Sequence, residues 1–199
     1  MDPGAVAAHQ KKARRLNAAL VFIDESGLLM SPYLRRTWHP RGQTPVLRQR
    51  TRHHRKVSVI AALVVSPAGR RVRWCFRLHV ETSIVGSLVR AFLRQLGRWV
   101  RGPMVLVWDR LKAHRSVTVQ QFIRQHPRFS LEWLPAYAPE LNPVEYGWCW
   151  LKTNPLSNYA PQEVEQLQRL AHRRARQLQR RPDLLRSFLK HSPLPLRLK

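Results

Sequence analysis

Two short, fully apolar runs, each followed at once by an aspartate, constrain the fold of this chain most strongly. Residues 18–23 (AALVFI) end at Asp24, and residues 104–108 (MVLVW) end at Asp109. Uninterrupted apolar runs of this length are typical of strands that are buried on both faces of a sheet. The two runs therefore predict a central sheet covered by other elements, with a turn at residues 24–27 (DESG) after the first strand.

The rest of the chain divides into strand-like segments and segments with helical periodicity. The patterns predict, in order, a strand (18–23), a hairpin (56–66 and 70–79), a helix from about residue 82, a strand (104–108), a helix from Ser116 to about Gln125, a strand (129–134) and a helix near Asn142. This order describes a mixed sheet with flanking helices, as in ribonuclease H-like nuclease domains. We therefore predict an α/β fold of that class. A doubly wound nucleotide-binding sheet would need a glycine-rich phosphate loop after the first strand, and IDESG is not one.

The same patterns predict the domain boundaries. Residues 1–17 are small, polar and basic, which favours a linker or a frayed helix. Residues 18–155 carry the predicted ribonuclease H-like domain. Residues 156–199 are predicted to form a basic, helical tail, because their apolar side chains recur at helical spacing among many arginines.

The charge of the chain indicates its partner. Lys and Arg number 36 against 11 Asp and Glu, for a formal net charge of +25. A folded protein with this charge repels itself unless a polyanion offsets it, and nucleic acid is the leading candidate. The two cysteines form no metal-ligand or disulfide pattern. No apolar run is long enough for a membrane helix and no signal peptide is recognisable, so we expect a soluble, cytoplasmic protein.

Three carboxylates predict a metal site. Asp24 and Asp109 each follow a buried strand, where a charge is costly unless it is hydrogen-bonded or holds a cation. Glu145 falls in the first turn of a predicted helix, with Asn142 as its N-cap and Pro143 as its first residue. Hard carboxylate oxygens suit Mg²⁺ or Mn²⁺, and two such ions can support an in-line displacement at phosphorus. The sequence therefore predicts phosphoryl transfer on DNA.

Four sequence blocks resemble a known family. The segments FIDESG, VWDRLKAH and LPAYAPELNPVEYGWCWLK are similar to the three signature blocks of the mariner-like DDE transposases, and RTWHPRGQTP resembles the bacterial insertion-sequence branch of that family. The resemblance covers residues 18–152. It implies that Asp24, Asp109 and Glu145 are catalytic metal ligands. It also implies an endonuclease that cleaves transposon ends and transfers the strand into target DNA at a TA dinucleotide, within a homo-oligomeric synaptic complex.

The chain departs from the family pattern at two places. Arg110 stands where the family usually has asparagine after the second aspartate. Residues 1–17 contain no counterpart of the family's N-terminal helix-turn-helix, so a separately encoded DNA-reading segment is expected.

Alternatives remain open at several positions. Glu140 is a rival third carboxylate, and Asn142 with Glu145 fits a capping box that needs no metal. Glu25 is expected to point away from Asp24, because successive strand residues face opposite sides. The residues predicted to contact DNA are Arg35, Arg36, Trp38, Arg41 and His114. The alternatives are that Trp38 pins a surface loop by being buried, and that His114 packs or caps locally. At the level of function, the alternatives are a catalytically idle DNA-binding remnant or transposition inhibitor, and a structure-selective nuclease on the same fold.

Overall fold

The computed structural model describes residues 4–31, 33–44, 46, 55–135, 138–154 and 156–194. The helices and strands are α1 (Gly4–Arg15), β1 (Ala19–Leu29), β2 (Lys56–Val65), β3 (Val72–Val80), α2 (Gly86–Trp99), β4 (Met104–Trp108), α3 (Val117–Gln125), β5 (Phe129–Trp133), α4 (Val144–Thr153), α5 (Val164–Gln179) and α6 (Pro182–His191), with a short 3₁₀ turn at Pro139–Leu141 before α4. Within these described residues, no helix has the length and apolarity needed to cross a membrane.

The five strands form one mixed sheet in the order β3-β2-β1-β4-β5. Strands β1, β2 and β3 pair antiparallel, whereas β4 lies parallel to both β1 and β5. The predicted hairpin and both helix-linked strands are confirmed. The parallel pairing of β1 with β4 ends at Phe22 and Val107. Asp24 lies two residues further along β1, where β4 no longer pairs with it.

The predicted turn at residues 24–27 is wrong. Strand β1 continues to Leu29, because residues 24–29 pair with residues 56–61 of β2. The sequence DESG is a turn pattern when only local preference counts. Here ladder hydrogen bonds to a neighbouring strand satisfy the backbone instead. Asp24 therefore lies within β1, beside the end of β4, rather than at the end of its own strand.

Helices cover both faces of the sheet. Helices α2 and α3 pack on one face, and the buried side chains of α2 are those of the predicted stripe: Val89, Phe92, Leu93 and Leu96. Helices α4, α5 and α6 pack on the other face. The tail predicted at residues 156–199 is helical over α5 and α6, and both helices share this second core with the sheet. The mixed sheet with flanking helices is therefore confirmed.

Of the two alternatives for residues 1–17, the structure shows a helix, because residues 4–15 form α1. Ala13 is buried against the sheet, and Lys12 Nζ lies 2.5 Å from Glu132 Oε1 of β5. His9 Nδ1 lies 3.3 Å from the other oxygen of that carboxylate. The stretch lacks a large apolar stripe, so periodicity gave no core-facing pattern. Tertiary contacts to Glu132 hold the helix instead.

Candidate active site

Asp24, Asp109 and Glu145 line one cavity of about 530 Å³. It lies where β4 ends, between the loop after β4 and the start of α4. Its other walls come from Arg110, Leu111, Leu134, Pro135, Ala138, Pro139 and Asn142. Three acidic side chains thus converge at one edge of the sheet of a strongly basic protein.

The Asp24 carboxylate is buried, with 8% of the residue exposed. It faces α4, and the indole Nε1 of Trp148 donates a hydrogen bond of 2.8 Å to Asp24 Oδ2. Burial, together with the negative charges of Glu145 and Glu25, raises the pKa of Asp24 to about 8, although the Trp148 hydrogen bond opposes the shift. The Asp24 and Glu145 carboxylates, which line the same cavity, therefore repel each other. A cation placed among them would relieve this repulsion.

Asp109 is held by the loop that follows β4. Its Oδ1 accepts a hydrogen bond from the Leu111 N–H at 3.1 Å and lies 2.8 Å from His114 Nδ1. Burial favours the neutral acid, but the hydrogen bonds from His114 and Leu111 outweigh it and lower the pKa of Asp109. The carboxylate is 43% exposed, so it remains accessible from the cavity.

His114 links the ends of two strands. It is fully buried and stacks on Trp108, with ring centroids 4.3 Å apart. Its Nε2 lies 2.7 Å from Glu25 Oε1, while Nδ1 lies against Asp109. Burial opposes a charge on the ring, yet hydrogen bonds from both nitrogens to these carboxylates raise the pKa of His114 to about 10. The geometry thus gives His114 a structural role. Its contact with DNA stays a prediction.

Glu25 points to the face of the sheet opposite Asp24, as expected from strand alternation. The Asp24 side chain contacts Trp148 on the α4 face, whereas Glu25 contacts His114 beneath α2 and α3.

Glu145 is exposed and belongs to the first turn of α4. That helix begins at Val144, one residue later than predicted. The Asn142 Oδ1 accepts a hydrogen bond from the Val144 N–H at 3.2 Å, but the Asn142 N–H donates to Pro139 O at 2.8 Å. In a capping box the Glu145 side chain would accept a hydrogen bond from the Asn142 N–H, but here the Pro139 carbonyl accepts that hydrogen bond. The Glu145 carboxylate is left facing the cavity.

The rival carboxylate of Glu140 lies on the 3₁₀ turn before α4. It is exposed, and it is not among the residues that line the cavity. The structure therefore favours Glu145 as the third carboxylate.

Sequence reasoning missed Trp148, which orients Asp24. Trp148 lies one helical turn after Glu145, so both side chains project from the same side of α4. Its ring meets Trp74 edge to face, at a centroid distance of 5.5 Å. Gly147 permits this approach, because a Cβ there would lie 2.5 Å from the Trp74 ring. The signal available in the sequence was the helical spacing of Glu145 and Trp148.

The Trp38 loop, residues 33–44, lies on the surface. Trp38 is 100% exposed, so the alternative of a buried anchoring tryptophan is wrong. Arg35, Arg36 and Arg41 are exposed as well. The loop is fixed instead at its base, where the Asn158 side chain bonds both the N–H and the carbonyl of Arg35, each at 2.9 Å. These side chains are available to a partner. Their contact with DNA remains a prediction.

The donor chemistry of the cavity fits a hard divalent cation. Asp24, Asp109 and Glu145 supply carboxylate oxygens, which Mg²⁺ and Mn²⁺ prefer. In the part of the chain that the structure describes, no three acidic, histidine or cysteine side chains are close enough to hold one ion as they stand. Carboxylates that repel one another do not gather closely without a cation, so binding requires side-chain movement.

Comparison with known proteins identifies similar sequences and structures. The sequence profile of one family, described as DDE superfamily endonuclease, matches residues 19–168. No curated protein sequence matches the chain.

Solved structures of Mos1 transposase share the fold. The Mos1 paired-end complex with left transposon end has a TM-score of 0.59 at 15% identity, over 96% of this chain and 62% of the Mos1 chain. The Mos1 mariner paired-end complex with Mg has a TM-score of 0.58 at 14% identity, over 96% of this chain and 60% of the Mos1 chain. The isolated catalytic domain of Mos1 mariner transposase has a TM-score of 0.53 at 11% identity, over 98% of this chain and 93% of that domain. The chain thus spans about 60% of the Mos1 chain in the DNA complexes, and the predicted ribonuclease H-like fold is confirmed.

Proposed function

Because the chain belongs to the DDE superfamily endonuclease family, we propose that it is the catalytic part of a DNA transposase, cleaving transposon ends and joining them to target DNA. The observation that carries the proposal is the convergence of Asp24, Asp109 and Glu145 on one cavity. The solved structures of similar fold include Mos1 transposase bound to a transposon end. The bacterial insertion-sequence branch stays a prediction.

The three carboxylates would hold two divalent ions, either Mg²⁺ or Mn²⁺. When bound, such ions activate the attacking oxygen and stabilise the leaving oxygen at phosphorus. The Mos1 mariner complex solved with Mg supports this choice of metal. Trp148 and His114 keep the carboxylates of Asp24 and Asp109 in place through their hydrogen bonds.

The reaction proposed is an in-line displacement. A water oxygen forms a bond to the scissile phosphorus, and the bond from phosphorus to the 3′ oxygen breaks, leaving a 3′-hydroxyl and a 5′-phosphate. That 3′-hydroxyl then attacks a phosphorus of target DNA, and the 3′ oxygen at the target leaves. Arg110 occupies the position at which the family usually has asparagine, and it lines the cavity. Its guanidinium could bind the phosphate of the substrate.

The proposed partners are transposon-end and target DNA. A synaptic homo-oligomer, a TA target and a separate helix-turn-helix segment are further proposals that follow from the resemblance. The comparisons give no support to the alternative of an idle DNA-binding remnant.

Metal-dependent cleavage tests the proposed function. The purified protein is expected to nick labelled duplex DNA in Mg²⁺ or Mn²⁺ and to leave it intact in EDTA, because the carboxylates alone provide no charge that stabilises a pentavalent phosphorus. The measurement is product formation on denaturing gels, with the ends of the products mapped. DNA binding without cleavage in either metal would favour the idle remnant.

Metal should also stabilise the fold, and more so at higher pH. The pKa of Asp24 is raised to about 8, so the stability associated with its protonated form is lost as the pH rises towards that value. Metal competes with this proton, so its affinity should rise by up to about tenfold per pH unit below pH 8. The Tm increase caused by Mn²⁺ is therefore expected to be larger at pH 8 than at pH 6.

Thermal melts with and without Mn²⁺ at the two pH values provide the measurement. Asp24→Asn is the control, because it removes the titrating group while retaining an oxygen that can accept from Trp148. A metal effect with the same pH dependence in this variant would contradict the assignment to Asp24.

A further inference from the structure

A basic groove runs between α2 and α3, outside the carboxylate cavity. It has a volume of about 360 Å³, and its lining residues are Arg90, Arg94, Thr118, Gln121, Phe122, Gln125 and His126. Arg90 and Arg94 are exposed on α2, and Gln121 and Gln125 are exposed on α3. The buried Phe122 ring forms the floor.

No acidic side chain lines the groove. Residues 82–131 contain nine Lys and Arg and one acid, Asp109, which lines the carboxylate cavity. The flanking acids Glu81 and Glu132 form ion pairs with Arg55 and Lys12. Among the described residues, no carboxylate forms an ion pair with Arg90 or Arg94. Like charges four residues apart on a helix repel each other. An anionic ligand in the groove would relieve this repulsion.

Not every arginine on the α2 and α3 side of the sheet is free to bind a ligand. Arg128 donates to the carbonyls of Gly97, Val100 and Gly102 and so fastens the end of α2. Arg90 and Arg94, in contrast, project from the same side of α2 about 6 Å apart along its axis. The groove therefore carries two adjacent arginine charges.

The other side chains of the groove suit a phosphate backbone. Proteins contact DNA phosphates chiefly through Arg and Lys, aided by the hydroxyl and amide groups of Ser, Thr, Asn and Gln. The groove combines two guanidiniums with the Thr118 hydroxyl and the Gln121 and Gln125 amides. It offers no large apolar anchor of the kind that dominates protein interfaces, because Phe122 is buried.

The groove begins next to the active-site loop. Helix α3 follows the loop that carries Asp109, and the start of α2 abuts that loop: a Cβ on Gly86 would lie 2.1 Å from Ser116 Oγ. Arg90 lies in the second turn of α2 and Thr118 in the first turn of α3, whereas Arg94 and Gln125 lie further from the loop. A polyanion in the groove would therefore lead away from the carboxylate cavity.

We propose that the α2–α3 groove binds the phosphate backbone of duplex DNA beside the segment that enters the active site. The identification of the polyanion as DNA rests on the proposed function. The inference that the groove binds a polyanion rests on the charge and shape of the groove. It adds a second contact surface to the Trp38 loop and holds the duplex without reading its sequence.

The test compares two matched double variants of the full chain. Arg90→Gln with Arg94→Gln removes two charges from the groove. Arg169→Gln with Arg173→Gln removes two exposed charges at the same spacing from α5, on the other face of the sheet. Binding of a fluorescein-labelled random duplex is measured by anisotropy over a series of salt concentrations.

The groove variant is expected to bind at least about tenfold more weakly at low salt and to lose roughly 1–2 from the slope of log K against log salt, since each phosphate contact contributes about 0.9. The α5 variant should lose little of either. Arg90→Lys with Arg94→Lys should restore the slope, because the charge is retained. Equal losses in both double variants, or none in the groove variant, would overturn the proposal.

Two further measurements keep the outcomes distinct. Cleavage by the groove variant should require a higher duplex concentration to reach its half-maximal rate, in step with the weaker binding, because the two arginines are proposed to hold the substrate. If the unaltered chain fails to cleave but the salt slopes differ as expected, the proposed catalysis fails and the groove stands. A changed oligomeric state in the groove variant, with an unchanged salt slope, would instead make the groove a protein interface and overturn the proposal.

Discussion

Replacing Glu145 by glutamine is expected to lower metal-dependent DNA cleavage by on the order of 10²–10³-fold or more, the loss typical when an electrostatic stabiliser of the transition state is removed. The same change at Glu140, five positions earlier in the sequence, should leave cleavage nearly unchanged. Glu145 faces the cavity with Asp24 and Asp109, whereas Glu140 is exposed outside it. Both variants remove one negative charge, so a difference between their cleavage rates cannot come from the net charge of the protein.

Initial rates of cleavage at saturating metal and duplex provide the measurement. Asp24→Asn and Asp109→Asn should show losses similar to that of Glu145→Gln. Binding to random duplex should stay close to that of the unaltered chain in all these variants, because it depends on Arg and Lys contacts to phosphate. Full cleavage by Asp109→Asn would rule out the catalytic role of that residue. An inactive Glu140→Gln variant would reopen the choice of third carboxylate.

The convergence of Asp24 and Asp109 was predictable because it follows from strand geometry. An apolar run marks a buried strand, and a parallel neighbour places the residues after both runs at the same edge. Asp24 and Asp109 obey this rule, although β1 does not end where the pattern suggested. The error at residues 24–29 arose because pairing with β2 overrode local turn preference. It did not move Asp24 away from the end of β4.

Contacts between distant segments could not be predicted in the same way. The hydrogen bond from Trp148 to Asp24 joins residues 124 positions apart, and the contact of Lys12 with Glu132 spans 120 positions. Neither leaves a periodic pattern in the sequence. His114 shows the intermediate case: its nearness to Asp109 was visible in the sequence, but its contact with Glu25 required knowing that β1 and β4 are neighbours.

The sequence preference of the chain is expected to be small without a reading segment. The helices of the described residues all pack against the sheet, and the exposed basic groups of the α2–α3 groove suit phosphates. Phosphate contacts position DNA but carry no sequence information. This chain should therefore bind random duplex and a duplex with its own transposon-end sequence with similar affinity, and both should weaken steeply as salt rises.

A helix-turn-helix segment, fused or supplied in trans, should change this result by roughly 10³-fold or more in favour of the transposon end, the preference typical of specific recognition. Competition binding of the two duplexes at one fixed salt concentration measures the effect, with the groove variant as a control for phosphate contacts. Because that variant loses only contacts common to every duplex, its affinity should fall equally for both sequences. A strong preference for the transposon end by the unassisted chain would show that the exposed Trp38 loop or the α2–α3 groove reads bases. The division between a catalytic part and a separate reading part would then be wrong.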